Sequence, residues 1–167
     1  MRALTIGLIA DTHMPQRARQ LPDLLVRAFR SSQLTAILHM GDFTTPLAVE
    51  QLEAIAPVEG VAGNNDPPEL HRRFGRKKIV EIGGVRIGMV HGDGVSRTAA
   101  ERSWQAFAGA AVDVVLFGHS HVPMCERREG VWLINPGSPT DKRRSPFFSY
   151  GLLALKKKII TPRLAFF

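Results

Sequence analysis

Cysteine is all but missing from this chain. Cys125 is the single one in 167 residues, which excludes an intrachain disulfide and a cysteine-rich zinc site and fits a reducing compartment. No apolar run approaches the ~20 residues that a membrane span needs. The first ten residues, MRALTIGLIA, resemble a secretory leader only superficially. Asp11 and His13 follow at once and no small-residue cleavage site is evident, so this run reads as a buried first strand. Linkers, low-complexity stretches and internal repeats are also lacking. What remains is one domain over residues 1–167, of a size that buries a full core, and it is expected in the cytoplasm.

Acidic residues are outnumbered. Fifteen Asp and Glu against 22 Lys and Arg give a formal charge of +7, a balance that favours anionic partners, phosphates and nucleic acids included. The basic residues fall in short clusters: Arg72-Arg73, Arg76-Lys77-Lys78, Arg127-Arg128, Lys142-Arg143-Arg144 and Lys156-Lys157-Lys158. None forms a basic helix face or alternates with aromatics, so nucleic acid is not the favoured partner. Lys156 to Lys158 lie between two apolar runs and read as a hairpin tip.

Strand-like runs cover Leu4 to Ala10, Ala36 to Met40, Val58 to Val61, Ile79 to Ile82, Val85 to Val90, Val112 to Phe117, Val131 to Ile134, Leu152 to Leu155 and Ile159 to Thr161. Gly83-Gly84 reads as a tight hairpin turn. Helical spacing fills three early gaps. Pro22 suits a first helical position, with Leu24, Leu25, Ala28 and Phe29 on one face. Thr45-Pro46 opens a second helix that turns Leu47, Leu52 and Ile55 inward. Thr98 and Glu101 form a capping box before Trp104, Phe107 and Ala108. Strands alternate with helices early and dominate late, which predicts a mixed α/β fold and not a plain doubly wound sheet.

Five short motifs punctuate the strand ends: Asp11-Thr12-His13, Gly41-Asp42, Gly63-Asn64-Asn65-Asp66, His91-Gly92 and Gly118-His119-Ser120-His121. Each supplies a hard oxygen or an imidazole nitrogen. Residues two apart on an extended strand end share a face, so Asp11 and His13, like His119 and His121, can reach one ion. Gly41 and Gly118 let the chain turn sharply and leave the ligands uncrowded. Asn64 offers a neutral oxygen to a hard cation. Singly, an Asp or Asn after a strand is a turn former or helix cap, and a lone His is a hydrogen-bonded core or surface residue. Jointly that explanation fails, because four of the six histidines fall in these motifs alongside the carboxylates. One bridging carboxylate between two divalent ions, completed by histidines, is an arrangement for attack on phosphate esters.

In this order the motifs resemble the calcineurin-like metallophosphoesterase superfamily. The short length, Gly63-Asn64-Asn65-Asp66 and Asn135-Pro136-Gly137-Ser138 are most similar to its small YfcE-type phosphodiesterase branch. The resemblance, which runs from Asp11 to Ser138, implies a four-layer α/β/β/α sandwich with two mixed sheets and the metals at the strand ends. It implies one ion held by Asp11, His13, Asp42 and His121, and a second by Asp42, Asn64, His91 and His119. Asp42 and a hydroxide or water would bridge the pair. A shell of oxygen and imidazole without thiolate suits Mn²⁺, Fe²⁺ or Zn²⁺, with Mn²⁺ favoured from the family. The implied reaction is hydrolysis of a small organic or nucleotide-like phosphodiester, with Asp42, Asn64, Asn65 and His119 at the catalytic centre.

One position departs from the larger members of the superfamily. They carry His directly after the liganding Asn, where it protonates the leaving alkoxide or stabilises the transition state; here Asn65 stands there. Without a general acid, ~10²–10⁴-fold of assistance is missing, which favours substrates with good leaving groups. Other residues admit two readings each. His39 is either a partner that orients a ligand or a satisfied core histidine. Asp66 either bonds nearby backbone and holds Asn64 or belongs, with Pro67-Pro68, to a turn. Asn135 and Ser138 are placed to line the site, Lys142 to Arg144 form either a phosphate clamp or a solvated turn, and His71 is expected to be exposed. Two rivals to the enzyme remain: a scaffold, since the same small fold includes a retromer subunit that works through protein contacts, and a nuclease or nucleic-acid-binding protein. Self-association is left open.

Overall fold

The computed structural model describes residues 2–167. In chain order the elements are β1 (Leu4–Ile9), α1 (Asp23–Ser31), β2 (Ala36–His39), α2 (Pro46–Glu53), β3 (Val58–Gly60), α3 (Pro68–Phe74), β4 (Lys77–Ile82) and β5 (Val85–Val90). There follow α4 (Ala99–Ala106), β6 (Val114–Leu116), β7 (Met124–Arg128), β8 (Val131–Asn135), β9 (Ser149–Lys156) and β10 (Ile159–Phe166). They build two five-stranded mixed sheets, in the orders β10-β9-β1-β2-β3 and β4-β5-β6-β8-β7.

Alternation along the strands sorts the apolar side chains into layers. Ile6, Leu8, Ala10, Leu38 and Met40 of the first sheet meet Ile87, Met89, Val114, Leu116 and Ile134 of the second in one shared core. The opposite face of the first sheet, with Ile9 and Ile37, is covered by Leu25 and Phe29 of α1, Val49 and Leu52 of α2, and Leu70 and Phe74 of α3. On the second sheet Val115 and Leu133 pack against Ala99 and, just past α4, Phe107. The result is a four-layer α/β/β/α sandwich.

Two strand glycines make room for the helices. A Cβ on Gly7 would lie 2.9 Å from the Phe29 ring, and one on Gly88 would lie 2.7 Å from the Phe107 ring. Each phenylalanine therefore sits directly on a strand backbone, which brings helix and sheet close together.

Topology places the site. β1, β2 and β3 run parallel to one another, as do β5, β6 and β8, so within each sheet the carboxyl ends of three strands emerge at one edge. Ile9 lies opposite His39 and His39 opposite Gly60. Asp11, Asp42 and the Gly63–Asp66 loop consequently leave their strands side by side.

Local signals account for most elements. Thr45 Oγ1 accepts the amide of Leu47 at 3.3 Å and Thr98 Oγ1 that of Glu101 at 3.1 Å, capping α2 and α4. Lys157 and Lys158, at φ 49° and 64°, form the tip between β9 and β10. Other details differ from the sequence reading. Pro67-Pro68 is no plain turn: it starts α3, with Pro68 in the first turn and Leu70 and Phe74, four apart, buried. β7 has no apolar run and is held as an edge strand by pairing with β8. Leu47 is 43% exposed because Ala48, Val49 and Leu52 make the inward face of α2. Leu24 and Ala108 also face outward, and Pro22 precedes α1 instead of opening it. No described helix is long and apolar enough to cross a membrane.

Substituting Gly88→Ala forces a methyl against the Phe107 ring, and should lower the unfolding free energy by about 1–3 kcal/mol. Urea denaturation measures the loss, and adding Phe107→Leu should recover part of it.

Candidate metal centre

Strand ends alone do not aim side chains into one point; the backbone conformation does. Asp11, His13, Asp42, His119 and His121 all have positive φ, at 56°, 44°, 60°, 68° and 60°. Asp and His tolerate this region better than most residues, yet each such non-glycine residue costs on the order of 1 kcal/mol or more. A set of buried hydrogen bonds offsets that strain.

Asp66 is the busiest member of this set. Its Oδ2 accepts the backbone amides of Asp42 at 2.9 Å and Gly63 at 2.7 Å, while Oδ1 accepts Thr44 N at 2.7 Å. One carboxylate thus ties the loop after β2 to the loop after β3. They approach so closely that a Cβ on Gly63 would fall 2.2 Å from Asp42 Oδ1. Gly41, at φ 95°, is equally confined, since a Cβ there would meet both Gly63 N and His91 Nδ1 at 2.7 Å. Gly118 serves packing and not a turn. Its φ is unexceptional, but a Cβ would lie 2.9 Å from Asp11 Oδ2.

His39 is completely buried; its Nδ1 accepts Gly41 N at 3.1 Å and its Nε2 lies 3.1 Å from Thr12 Oγ1. Burial holds its pKa well below the ordinary value, so it is a neutral brace between the first two motifs. Ser138 Oγ donates to Asp11 O at 2.8 Å, and Thr140 Oγ1 donates to Thr12 O at 2.7 Å. Asn135 Nδ2 donates to Gly118 O and Ser120 Oγ, both at 3.0 Å. Asn135 and Ser138 therefore fasten loops to one another.

At the middle of this frame, Asp42 Oδ2 lies 3.4 Å from His13 Nε2 and 3.3 Å from His91 Nε2. Asp11 Oδ1 lies 3.6 Å from His121 Nε2, 3.9 Å from His91 Nε2 and 4.0 Å from His13 Nε2. Two groups present ligand atoms within 4.8 Å of one another: Asp11, His13 and His121, and Asp11, Asp42 and His91. Met40 O sits 2.7 Å from His91 Nδ1, and Asp141 O 2.5 Å from His121 Nδ1. These carbonyls hold the protons on Nδ1 and turn each Nε2 inward as a lone-pair donor. His119 approaches differently. Its backbone amide donates to Asp11 Oδ2 at 2.9 Å and its half-buried ring stands edge-on to His91, with centroids 5.1 Å apart.

The two asparagines separate. Asn65 donates to Asp42 through both its backbone amide, to Oδ1 at 2.9 Å, and its side-chain amide, to Oδ2 at 2.8 Å. Asn64 is exposed, and no hydrogen bond joins its side chain to any described residue.

Among the described residues, four buried side-chain polar atoms lack a hydrogen-bond partner: Asp11 Oδ1, His13 Nε2, His91 Nε2 and His121 Nε2. Leaving such groups unpaired costs about 1–3 kcal/mol each. All four belong to this one cluster, and their oxygen-plus-imidazole chemistry fits a divalent transition metal. Electrostatics agree. Burial pushes Asp11 up to about 7. Burial alone would lower His91, but the facing carboxylates of Asp42 and Asp11 outweigh it and raise His91 to about 9. Without a cation the cluster holds protons instead.

A family profile described as a calcineurin-like phosphoesterase superfamily domain matches residues 4–158. The chain belongs to that superfamily. A Methanothermobacter thermautotrophicus protein bearing the name probable metallophosphoesterase is 39% identical over 144 residues, covering 84% of this chain and 80% of the relative. A phosphodiesterase of Methanocaldococcus jannaschii is 26% identical over 148 residues, covering 80% and 83%. Zinc-complexed Vps29 from Entamoeba histolytica shares the fold at a TM-score of 0.77 and 21% identity, covering 98% and 99% of the two chains.

Membership explains why the motifs recur in this order, but the supporting residues are particular to the structure. Thr140 and Asp141 lie outside every motif, and Thr12 is only the spacer within its own. They are found only because loops distant in sequence meet. Asp66 was visible within its motif, and its three amide bonds follow from the closeness of two strand ends.

Divalent metal titrated into metal-free protein at pH 7 should release protons, since His91 must lose its own to donate. Affinity should weaken as pH falls, which calorimetry in buffers of different ionisation enthalpy detects. Asp66→Ala strands three backbone amides and should cost on the order of 3 kcal/mol or more of stability; chemical denaturation measures it, and metal affinity should fall alongside.

Proposed function

We propose that this chain is a cytoplasmic, divalent-metal-dependent phosphodiesterase acting on small organic or nucleotide-like phosphodiesters. One observation carries the reading: among the described residues, the unpartnered buried side-chain atoms converge on a single cluster of carboxylates and imidazoles. Asp11, His13 and His121 would hold one ion, and Asp42, His91 and His119 a second, which Asn64, exposed without the ion, would join only by turning its side chain inward. Asp42 Oδ2 lies between His13 and His91 and is the natural bridge. Mn²⁺ is the favoured ion, with Fe²⁺ or Zn²⁺ compatible with the same donors. When bound, such a pair supplies Lewis-acid polarisation of the phosphoryl oxygen and a water acidic enough to attack it.

The chain's own residues do the rest. Asn65 directs two donors at Asp42 and so fixes both carboxylate oxygens, but an amide has no proton to give a leaving alkoxide. His119, half-buried at the margin with its ring edge-on to His91, is placed to serve the second ion and not to protonate a leaving group. The depressed pKa of His119, caused first by burial and then by the charge of His91, keeps that ring neutral at pH 7. Poor leaving groups must therefore depart with little help, and activated diesters are the better substrates.

The likeness in fold to Vps29 supports a second reading, a scaffold that acts through protein contacts. Against it, a scaffold has no need of three residues, Asp11, His13 and His121, held at positive φ while aiming unpaired atoms at one point. The deciding experiment strips the protein of metal and restores Mn²⁺, Fe²⁺ or Zn²⁺ singly against phosphomonoesters, diesters and cyclic nucleotides. Diester hydrolysis is expected. No turnover with two ions confirmed per chain would favour the scaffold.

His119→Ala should lower kcat/KM on bis(p-nitrophenyl) phosphate by at least ~100-fold without changing the thermal midpoint. Asn65→His should raise the ratio of rates on poor to good leaving groups. An unchanged ratio in fully metallated variant would count against a missing proton donor.

A further inference from the structure

Asp141 joins the centre through its backbone: its carbonyl meets His121 Nδ1 at 2.5 Å and its amide donates to Ser138 Oγ at 2.8 Å. Its carboxylate serves two arginines. Arg17 Nε lies 3.3 Å and Arg143 Nε 3.8 Å from the same oxygen, Oδ2, which is also 3.8 Å from His121 Nδ1. Arg17 comes from the loop after β1, where its amide donates to His13 O at 2.8 Å. Arg143 comes from the segment between β8 and β9, at a positive φ of 48°. Two loops far apart in sequence thus bring guanidiniums to one carboxylate beside His13 and His121.

Stability does not account for this. The side chains are 61% and 50% exposed, and exposed ion pairs contribute little. One carboxylate against two guanidiniums also leaves a positive charge over. The mode of contact matters more. Both arginines meet Asp141 through Nε, and the terminal amino groups of neither bond to any described residue. Two arginines on the other side of the centre are engaged differently. Arg76 uses a terminal nitrogen on both oxygens of Asp93, at 2.7 and 2.6 Å, and Arg102 is spent on the carbonyls of Gly92, Ser96 and Arg97. On the His13 and His121 side, both arginines leave open the planar fork that binds phosphate bidentately.

Building on the phosphodiesterase reading, we propose that Arg17 and Arg143, oriented by Asp141, form an anion subsite and that the substrate is a phosphodiester carrying a second phosphate or pyrophosphate group. Asp11 and Asp42 and their ions would serve the scissile phosphoryl. A plain diester bears one negative charge and has nothing for a second cationic pair to hold. A second phosphate beside it matches two open forks and an excess positive charge.

The test compares thymidine 5′-(p-nitrophenyl phosphate) with the same compound bearing a 3′-phosphate, in Mn²⁺-loaded protein. The wild type should prefer the phosphorylated diester through KM. Arg17→Gln/Arg143→Gln should reduce that preference at least tenfold, whereas Lys156→Gln, at the far end of the β9–β10 hairpin, should leave it within twofold. An equal loss on both compounds would place the arginines on the scissile phosphoryl and overturn the substrate class. An unchanged preference would overturn the subsite. Calorimetric titration of metal-free protein with pyrophosphate gives an independent reading, with at least tenfold weaker binding expected for the double variant and equal binding refuting the subsite. Should neither compound be hydrolysed with any ion, the phosphodiesterase reading falls, and the pyrophosphate titration alone decides whether the arginines bind anions.

Discussion

A carboxylate completely shut off from solvent, with one oxygen unpartnered, stands where the strand ends of both sheets meet. Asp11 takes the His119 amide on Oδ2, donates its own amide to Gly41 O and receives Ser138 Oγ on its carbonyl. Those three bonds join the first strand's exit to loops after β2, β6 and β8. Oδ1 has no such partner and faces three imidazoles. Burying a charge in this way is tolerable only when something compensates it. The surrounding architecture is therefore a frame for a missing positive charge: protons from the histidine cluster in the bare protein, divalent ions in the proposed working state.

Strain and rigidity are two sides of this frame. Five of the candidate ligands sit at positive φ, a conformation that loops left to themselves would relax. Asp66, His39, Asn135 and Thr140 remove that freedom by tying loops to loops rather than to solvent. Each brace spans two strand ends, so the centre is as stiff as the sheets beneath it. The sheets are in turn held close to their helices where Phe29 and Phe107 cover bare glycine backbone. Packing in the outer layers and geometry at the centre are linked through the strands they share.

Much of the fold was legible locally. Apolar runs gave every strand except β7, which pairs through backbone at a sheet edge and carries alternating polar residues that no hydropathy pattern distinguishes. Helix α3 was hidden because Pro67-Pro68 is equally good chemistry for a turn and for a helix start; burial of Leu70 and Phe74 decides between them. The sheet partners were not legible, since pairing joins residues such as Leu4 and Leu155 from opposite ends of the chain. At the centre, Asp11, His13, Asp42, His91, His119 and His121 could be named from their spacing. The difference between Asn64 and Asn65 could not, because only the loop's path determines which amide reaches Asp42.

Residue type and order by themselves determined the chemistry on offer: hard oxygens and imidazoles without thiolate, placed after apolar runs, in a chain with a single cysteine. A donor's identity is covalent and needs no fold. Convergence, tautomer and access belong to the tertiary structure. Parallel strands carry their exits to one edge, carbonyls of Met40 and Asp141 turn Nε2 of His91 and His121 inward, and Asp141 holds two arginines with their forks open. Such relations depend on distances between residues up to 128 positions apart, as Thr12 and Thr140 are, and only folding sets those distances.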